Sequence, residues 1–293
     1  MKRTKLQIFL FFLFFAVTSS AQDVYKFNLF PDGLLFNPLQ GNMKEARFGL
    51  IYFPDNANLK IDIGYTSDLL EFIINEQLTV RAGIDFYAYG LATSYEGLRL
   101  QIDMLDGFFG GNVSARYLLD NSELKGRLRI IHNSAHLVDG SFLLKENMWK
   151  NDFKPIPYTR DFGELTVMYR KKDLGLDNYY YSSLAYATMV RPISIKKWTF
   201  NFGVESVYSG VVQNFYDKPI DLFLIYHNQF SGEGAYLASH TIKGGIKFGE
   251  WNKKGLLFYL FWYNGFNYFS EFYNVRIEKF GIGFNVDFSS AIQ

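Results

Sequence analysis

A side-chain period of two, repeated in stretches about ten residues long, constrains this chain more than any other feature. From Leu78 to Ala88, the positions Leu78, Val80, Ala82, Ile84, Phe86 and Ala88 alternate with Thr79, Arg81, Gly83, Asp85 and Tyr87. The same rhythm sets Trp198, Phe200, Phe202 and Val204 against Thr199, Asn201, Gly203 and Glu205. It sets Phe280, Ile282, Phe284, Val286 and Phe288 against Gly281, Gly283, Asn285 and Asp287. Successive side chains of a strand point to opposite faces, so these stretches are strands with one apolar and one polar face. Beyond Gln22 no stretch offers the ~18 consecutive apolar residues of a helical span, whereas a strand of about ten residues is long enough to cross a bilayer at a tilt.

Similar runs occupy about 44–54, 58–66, 97–105, 108–119, 124–136, 160–171, 178–191, 236–249 and 254–265, giving twelve candidate strands. Turn signals such as Pro54-Asp55-Asn56, Asp120-Asn121-Ser122 and Asn252-Lys253-Lys254-Gly255 separate them. A soluble barrel would turn its apolar face inward and carry Lys and Glu outside. Here the polar faces are Gly, Ser, Thr and Asn with scattered paired charges, which suits a polar lumen. Aromatic residues make up 19% of the chain and cluster as in Tyr179-Tyr180-Tyr181 and Phe261-Trp262-Tyr263, which suits interfacial girdles. The expected fold is therefore all-β, a closed antiparallel transmembrane β-barrel over residues 44–293 with about twelve strands, in a range of ten to fourteen. The range reflects a conflict of parity. The longest gap, Val138 to Tyr158, follows the sixth strand, where a chain that starts in the periplasm should be making a short turn, so either a strand is miscounted or residues 210–235 hide a hairpin. Residues 22–43, with the turn Pro31-Asp32-Gly33, read as an irregular lead or plug.

Lys2, Arg3 and Lys5 precede the apolar run Ile8–Val17, and Ser19 and Ala21 stand at −3 and −1 of a cut before Gln22. Residues 1–21 thus read as a signal peptide, because a run of ten is too short to span. Export to the cell outer membrane follows. So does a partner, the barrel assembly machinery, which would read the aromatic terminus Phe288 of the last strand. The near-balance of 30 basic and 29 acidic residues argues against a nucleic-acid partner. The lack of cysteine excludes disulfides, thiolate nucleophiles, iron–sulfur clusters and a lipoprotein anchor. No phosphate-loop, dinucleotide or metalloprotease motif is present, and no cofactor is expected.

Two of the four histidines fall in one run, Arg127 to Gly140, the densest polar cluster of the chain. On a strand, His132 and His136 lie about 13 Å apart, too far to share one metal ion without a sharp bend. His132 and Ser134, by contrast, share a face about 6.6 Å apart, so the imidazole can serve the hydroxyl as general base. Arg127 and Arg129 have the opposite parity. Turning them to lipid costs up to about 2–4 kcal/mol each, so they take the lumen and His132 and Ser134 face outward. Asp161 has the matching parity at the adjoining end of the next strand. Ser134, His132 and Asp161 are the candidate catalytic residues for acyl transfer on an outer-membrane lipid, with His136 and Asp139 as candidate binding residues beside them. The simpler reading is a polar cuff bonding loop backbone. Arg81, Asp85, Arg116, Arg127, Arg129 and Glu205 read as a satisfied lumen network, or as the lining of a selective ion path that would make the protein a non-enzymatic channel or structural barrel.

At His132-Asn133-Ser134-Ala135-His136-Leu137-Val138-Asp139 and Pro157-Tyr158-Thr159-Arg160-Asp161 the chain resembles an uncharacterised outer-membrane barrel family, domain of unknown function 1207. Leu35-Phe36-Asn37-Pro38-Leu39 and the stretch from Asn264-Gly265-Phe266 to Phe284 extend the resemblance over most of the chain, while Ala135, Val138 and Gly140 depart from its pattern. The resemblance implies a barrel and carries no established activity. His-x-Ser on a lipid-facing strand also looks like the motif of outer-membrane phospholipase A and the lipid A 3-O-deacylase. That comparison implies Ser134 as nucleophile, His132 as base and Asp161 as third member, and leaves the acyl chain, calcium dependence and oligomeric state open.

Overall fold

The computed structural model describes residues 26–95, 99–150, 154, 156–173 and 175–288. The expected signal peptide, the first residues of the lead and the tail after Phe288 lie outside the described residues. The strands are β1 (Lys26–Leu29), β2 (Phe48–Phe53), β3 (Asn58–Ile73), β4 (Leu78–Tyr95), β5 (Arg99–Leu119), β6 (Ser122–Leu137), β7 (Phe142–Leu143), β8 (Met148–Trp149), β9 (Tyr158–Asp173), β10 (Leu176–Arg191), β11 (Trp198–Phe215), β12 (Lys218–Ser231), β13 (Leu237–Phe248), β14 (Gly255–Phe266) and β15 (Arg276–Asp287). Twelve of them, β2 to β6 and β9 to β15, pair antiparallel with their neighbours, and β15 pairs back onto β2 to close the barrel. Strands β7 and β8 form a small separate hairpin between β6 and β9.

The number twelve arises differently from the sequence reading. The stretches 97–105 and 108–119 are not two strands: residues 99–119 form one strand of 21 residues, β5, because Asp106-Gly107 is not a turn. Asp106 points inward, fully buried, and its carboxylate accepts the Ser270 backbone N–H at 3.1 Å. The lost strand is replaced by β12, which lies wholly within the segment 210–235. The exchange removes the conflict of parity. The turns at 74–77, 120–121, 216–217 and 249–254 lie at the end where β15 finishes, and the long 138–157 connection lies at the other. Short turns at one end and longer loops at the other are the usual asymmetry of membrane barrels.

Strand β6 shows what the alternation builds. Glu123, Lys125, Arg127, Arg129, Ile131, Asn133 and Ala135 are buried, whereas Leu124, Leu128 and Ile130 are exposed, Ile130 by 69%. Phe86, Phe109, Leu165, Tyr180, Phe200, Leu224, Leu260 and Phe280 continue the apolar exterior around the circumference. Charges inside and hydrocarbon outside invert the order of a soluble barrel and fit lipid as the surrounding solvent. The girdle reading of the aromatic runs needs correction. Tyr179 and Tyr181, and likewise Phe261 and Tyr263, are buried inside, and only Tyr180 and Trp262 between them face out. Consecutive strand residues cannot all face lipid, so every other aromatic fills the lumen.

The filling is completed by the chain itself. Strands β1 and β2 lie end to end along β3, β1 against Leu70–Ile73 and β2 against Asn58–Asp62. Between them residues 30–47 leave the wall and enter the lumen, where Leu34, Leu35, Phe36, Leu39 and Met43 are buried. Backbone N–H groups of Leu35 and Gln40 donate to Asp68 (2.8 Å) and Glu205 (2.6 Å), and the Arg81 guanidinium donates to the carbonyls of Asp32 and Gly33. Glu45 accepts from both terminal nitrogens of Arg127, at 3.0 and 2.5 Å, and lies 3.4 Å from Arg129. Irregular backbone is tolerated at membrane depth only when protein satisfies its polar groups, and these partners do so.

Candidate functional site

Cross-strand register assembles the site on the outer wall. Phe109 of β5, His132 of β6, Asp161 of β9 and Met189 of β10 form one row, and Gly107, Ser134, Thr159 and Arg191 form the next row toward the long-loop end. Those on β5, β6 and β9 have the outward parity of their strands, and Met189 and Arg191 face outward because a bulge after Ala187 shifts the parity of β10. Below the rows the wall becomes hydrocarbon, with Ile130 and Leu165 exposed. The patch therefore sits at the rim of the apolar belt.

His132 Nδ1 and Asp161 Oδ1 are 2.5 Å apart, with side-chain exposures of 33% and 38%. A carboxylate can only accept, so the proton of this bond sits on Nδ1, which leaves the Nε2 lone pair free to take a proton. The imidazole is also held against the Phe109 ring, centroid to centroid 4.8 Å. Ser134 lies on the same face, two residues along the strand. Among the described residues no hydrogen bond joins its hydroxyl to the ring, whose Nδ1 is engaged by Asp161. Gly107 opposite keeps that flank open, since a Cβ added there would meet Ser134 Oγ only at 3.9 Å.

A cleft of about 450 Å³ begins at Ser134 and is lined by His136, Leu137, Pro157, Thr159 and Arg191. Glu271, from the loop between β14 and β15, closes one side. Its carboxylate accepts the Ile156 backbone N–H at 3.1 Å, which ties the two outer loops together, and burial pushes its carboxyl above the ordinary range despite that bond.

Sequence reasoning singles out Ser134, His132, Asp161 and His136, and the structure brings all four to one patch. Asp139 starts a short 3-10 turn at the end of β6, its side chain outside the described residues. The other candidate binding residues lie apart, in the lumen. Arg81 pairs with Glu71 (2.6 Å) and Asp68 (3.2 Å); Asp85 accepts from Thr66 and Asn112; Arg127 and Arg129 are shared between Glu45 and Glu164. Arg116 is buried there as well. These groups serve the interior of the barrel, binding other lumen side chains and residues 30–47 rather than the outer patch. Two cavities in the lumen hold about 60 and 40 Å³, room for a few waters. Phe109 and Arg191 carry no mark in the sequence, and Thr159 none beyond its place in the run 157–161, because their membership depends on register across two and three strands.

No protein-family model and no curated protein matches the chain. Among solved structures it is similar to the beta domain of the Bordetella autotransporter BrkA, at 10% identity and a TM-score of 0.43, covering 83% of this chain and 97% of that one. It is also similar to OmpT, an outer membrane protein of Vibrio cholerae, at 9% identity and a TM-score of 0.37, covering 82% and 94%. A third similarity is to LpxR from Salmonella typhimurium, at 8% identity and a TM-score of 0.33, covering 79% and 88%.

Proposed function

We propose that the protein is an outer-membrane acyl-ester hydrolase that works on lipid from the outside of its own wall. The observation that carries this reading is the His132–Asp161 hydrogen bond on the lipid-facing side, with Ser134 on the same face. Two ionisable groups at a hydrocarbon rim are costly unless they serve a purpose, and a histidine oriented by a carboxylate beside a hydroxyl is the arrangement acyl transfer needs. In the forward step Nε2 of His132 takes the Ser134 proton as Oγ adds to the ester carbonyl. The imidazolium, stabilised by Asp161, then protonates the departing alcohol as the carbonyl–oxygen bond breaks. Water, deprotonated by the same Nε2, releases the fatty acid and restores Ser134.

On this reading the turns at 74–77 and 120–121 face the periplasm and the long loop faces outward, which sets the triad in the outer leaflet. Phe288, exposed and packed on Phe48 at 5.5 Å, is the terminus offered to the assembly machinery. The resemblance to domain of unknown function 1207, which no matching family model supports, is carried by the residue patterns around His132 and Asp161 and by the stretches 35–39 and 264–284. A passive or selective channel is the weaker alternative, since residues 30–47 and the arginine–carboxylate pairs occupy the path an ion would take.

A fluorophosphonate probe tests the nucleophile without knowledge of the substrate. Folded wild-type protein in detergent should acquire the adduct mass on the peptide that contains Ser134, and His132→Ala should lose most of that labelling. Wild-type protein that is folded and stays unlabelled would remove the hydrolase reading.

A further inference from the structure

We infer that Arg191 is the headgroup anchor of this site and that the lipid it receives carries a phosphate. The inference deepens the hydrolase reading and rests on it for the role of Ser134, but its own basis is separate. Arg191 ends β10 in the row of Ser134, two inter-strand spacings away, or about 9–10 Å between backbones. It lines the same cleft and is exposed. Among the described residues no hydrogen bond or ion pair engages its guanidinium, whereas Arg81, Arg127, Arg129 and Arg170 each hold a carboxylate. The one acid in the lining, Glu271, is occupied by the Ile156 N–H.

Two neighbours support a polar ligand along this row. Thr159, between Ser134 and Arg191, has a hydroxyl shielded from solvent and without a hydrogen-bond partner, a donor lacking an acceptor. After Arg191 the chain continues Pro192-Ile193-Ser194-Ile195-Lys196-Lys197, so that three cations stand without an acid, and Ile193 at its tip is 90% exposed. An apolar tip flanked by cations is the chemistry of an interfacial anchor facing phosphates. A free guanidinium at that level matches a phosphate's paired oxygens better than any neutral headgroup. In a glycerophospholipid, or a phosphorylated acylated sugar, the phosphate stands only a few covalent bonds from an ester carbonyl. With the phosphate on Arg191 that carbonyl comes to the Ser134 side of the cleft and the acyl chain falls along the wall over Ile130.

Native mass spectrometry of the Ser134→Ala protein, whose turnover is blocked, isolates binding from hydrolysis. The probes are dioleoylphosphatidylglycerol and dioleoylglycerol, which share acyl chains and differ in the phosphate headgroup. The expected result is a preference for the phospholipid that falls about tenfold or more when Arg191→Ala is added, as loss of a charge-assisted contact predicts, and is partly kept by Arg191→Lys. An unchanged preference in folded Arg191→Ala protein overturns the anchor. If the fluorophosphonate experiment fails while this preference depends on Arg191, the hydrolase reading falls and the phosphate-lipid site stands.

Discussion

Glu45→Ala is expected to destabilise the barrel by about 3–5 kcal/mol, the cost of leaving a fully buried charge without its partner. Glu45 sits on the segment inside the lumen and takes both terminal nitrogens of Arg127 while lying 3.4 Å from Arg129. Arg129 keeps Glu164 at 2.8 Å, but Arg127 is left with the same carboxylate at 3.8 Å. The measurement is the denaturant midpoint of unfolding in micelles, read from the loss of fast migration on unheated gels. Adding Arg127→Met should recover part of the loss, because replacing a buried pair by apolar groups is often near neutral. A Glu45→Ala midpoint equal to wild type would mean that residues 30–47 do not hold the lumen together.

The second large effect concerns turnover. Ser134→Ala or His132→Ala should each lower kcat on a lipid ester by roughly 10⁴–10⁶, and combining them should cost little more, because nucleophile and base act as one unit. Asp161→Asn should lose roughly a hundredfold less than either. The amide still holds the ring by a hydrogen bond, yet it no longer stabilises the imidazolium and can present the wrong group to Nδ1. Steady-state rates of protein reconstituted in mixed micelles give the comparison. Equal, small losses in all three variants would identify the patch as a polar cuff.

The fold was legible because period two is a local property and each strand displays it independently. In β4, Arg81 and Asp85 betray the lumen face and Ile84 and Phe86 the lipid face without reference to any other strand. The grouping of Ser134, His132 and Asp161 on one outer face was legible for a related reason: parity fixes the face of His132 and Ser134, and the loop joining β6 to β9 fixes the level of Asp161. What escaped depended on information the local pattern does not hold. Asp106-Gly107 has the composition of a turn and sits mid-strand, because its carboxylate is held by a loop 164 residues away. Tyr179 and Phe261 look like girdle residues until the residues beside them claim the outward positions. Glu45 lies in an irregular segment, where no periodicity reveals that it meets Arg127 across the lumen. Arg191 joins Ser134 only through Thr159, a relation that appears once both strand pairings are known. As the last residue of β10 it looks, in the sequence, like any arginine at the mouth of a turn.

Lipid mass spectrometry tests the hydrolase most directly, on membranes of cells producing equal amounts of folded wild-type or Ser134→Ala protein. Wild-type membranes should accumulate a lipid lighter by one acyl chain, with the matching free fatty acid, and Ser134→Ala membranes should not. Identical lipid profiles from the two, with both barrels inserted, would contradict the assignment of Ser134, His132 and Asp161 to acyl-ester hydrolysis.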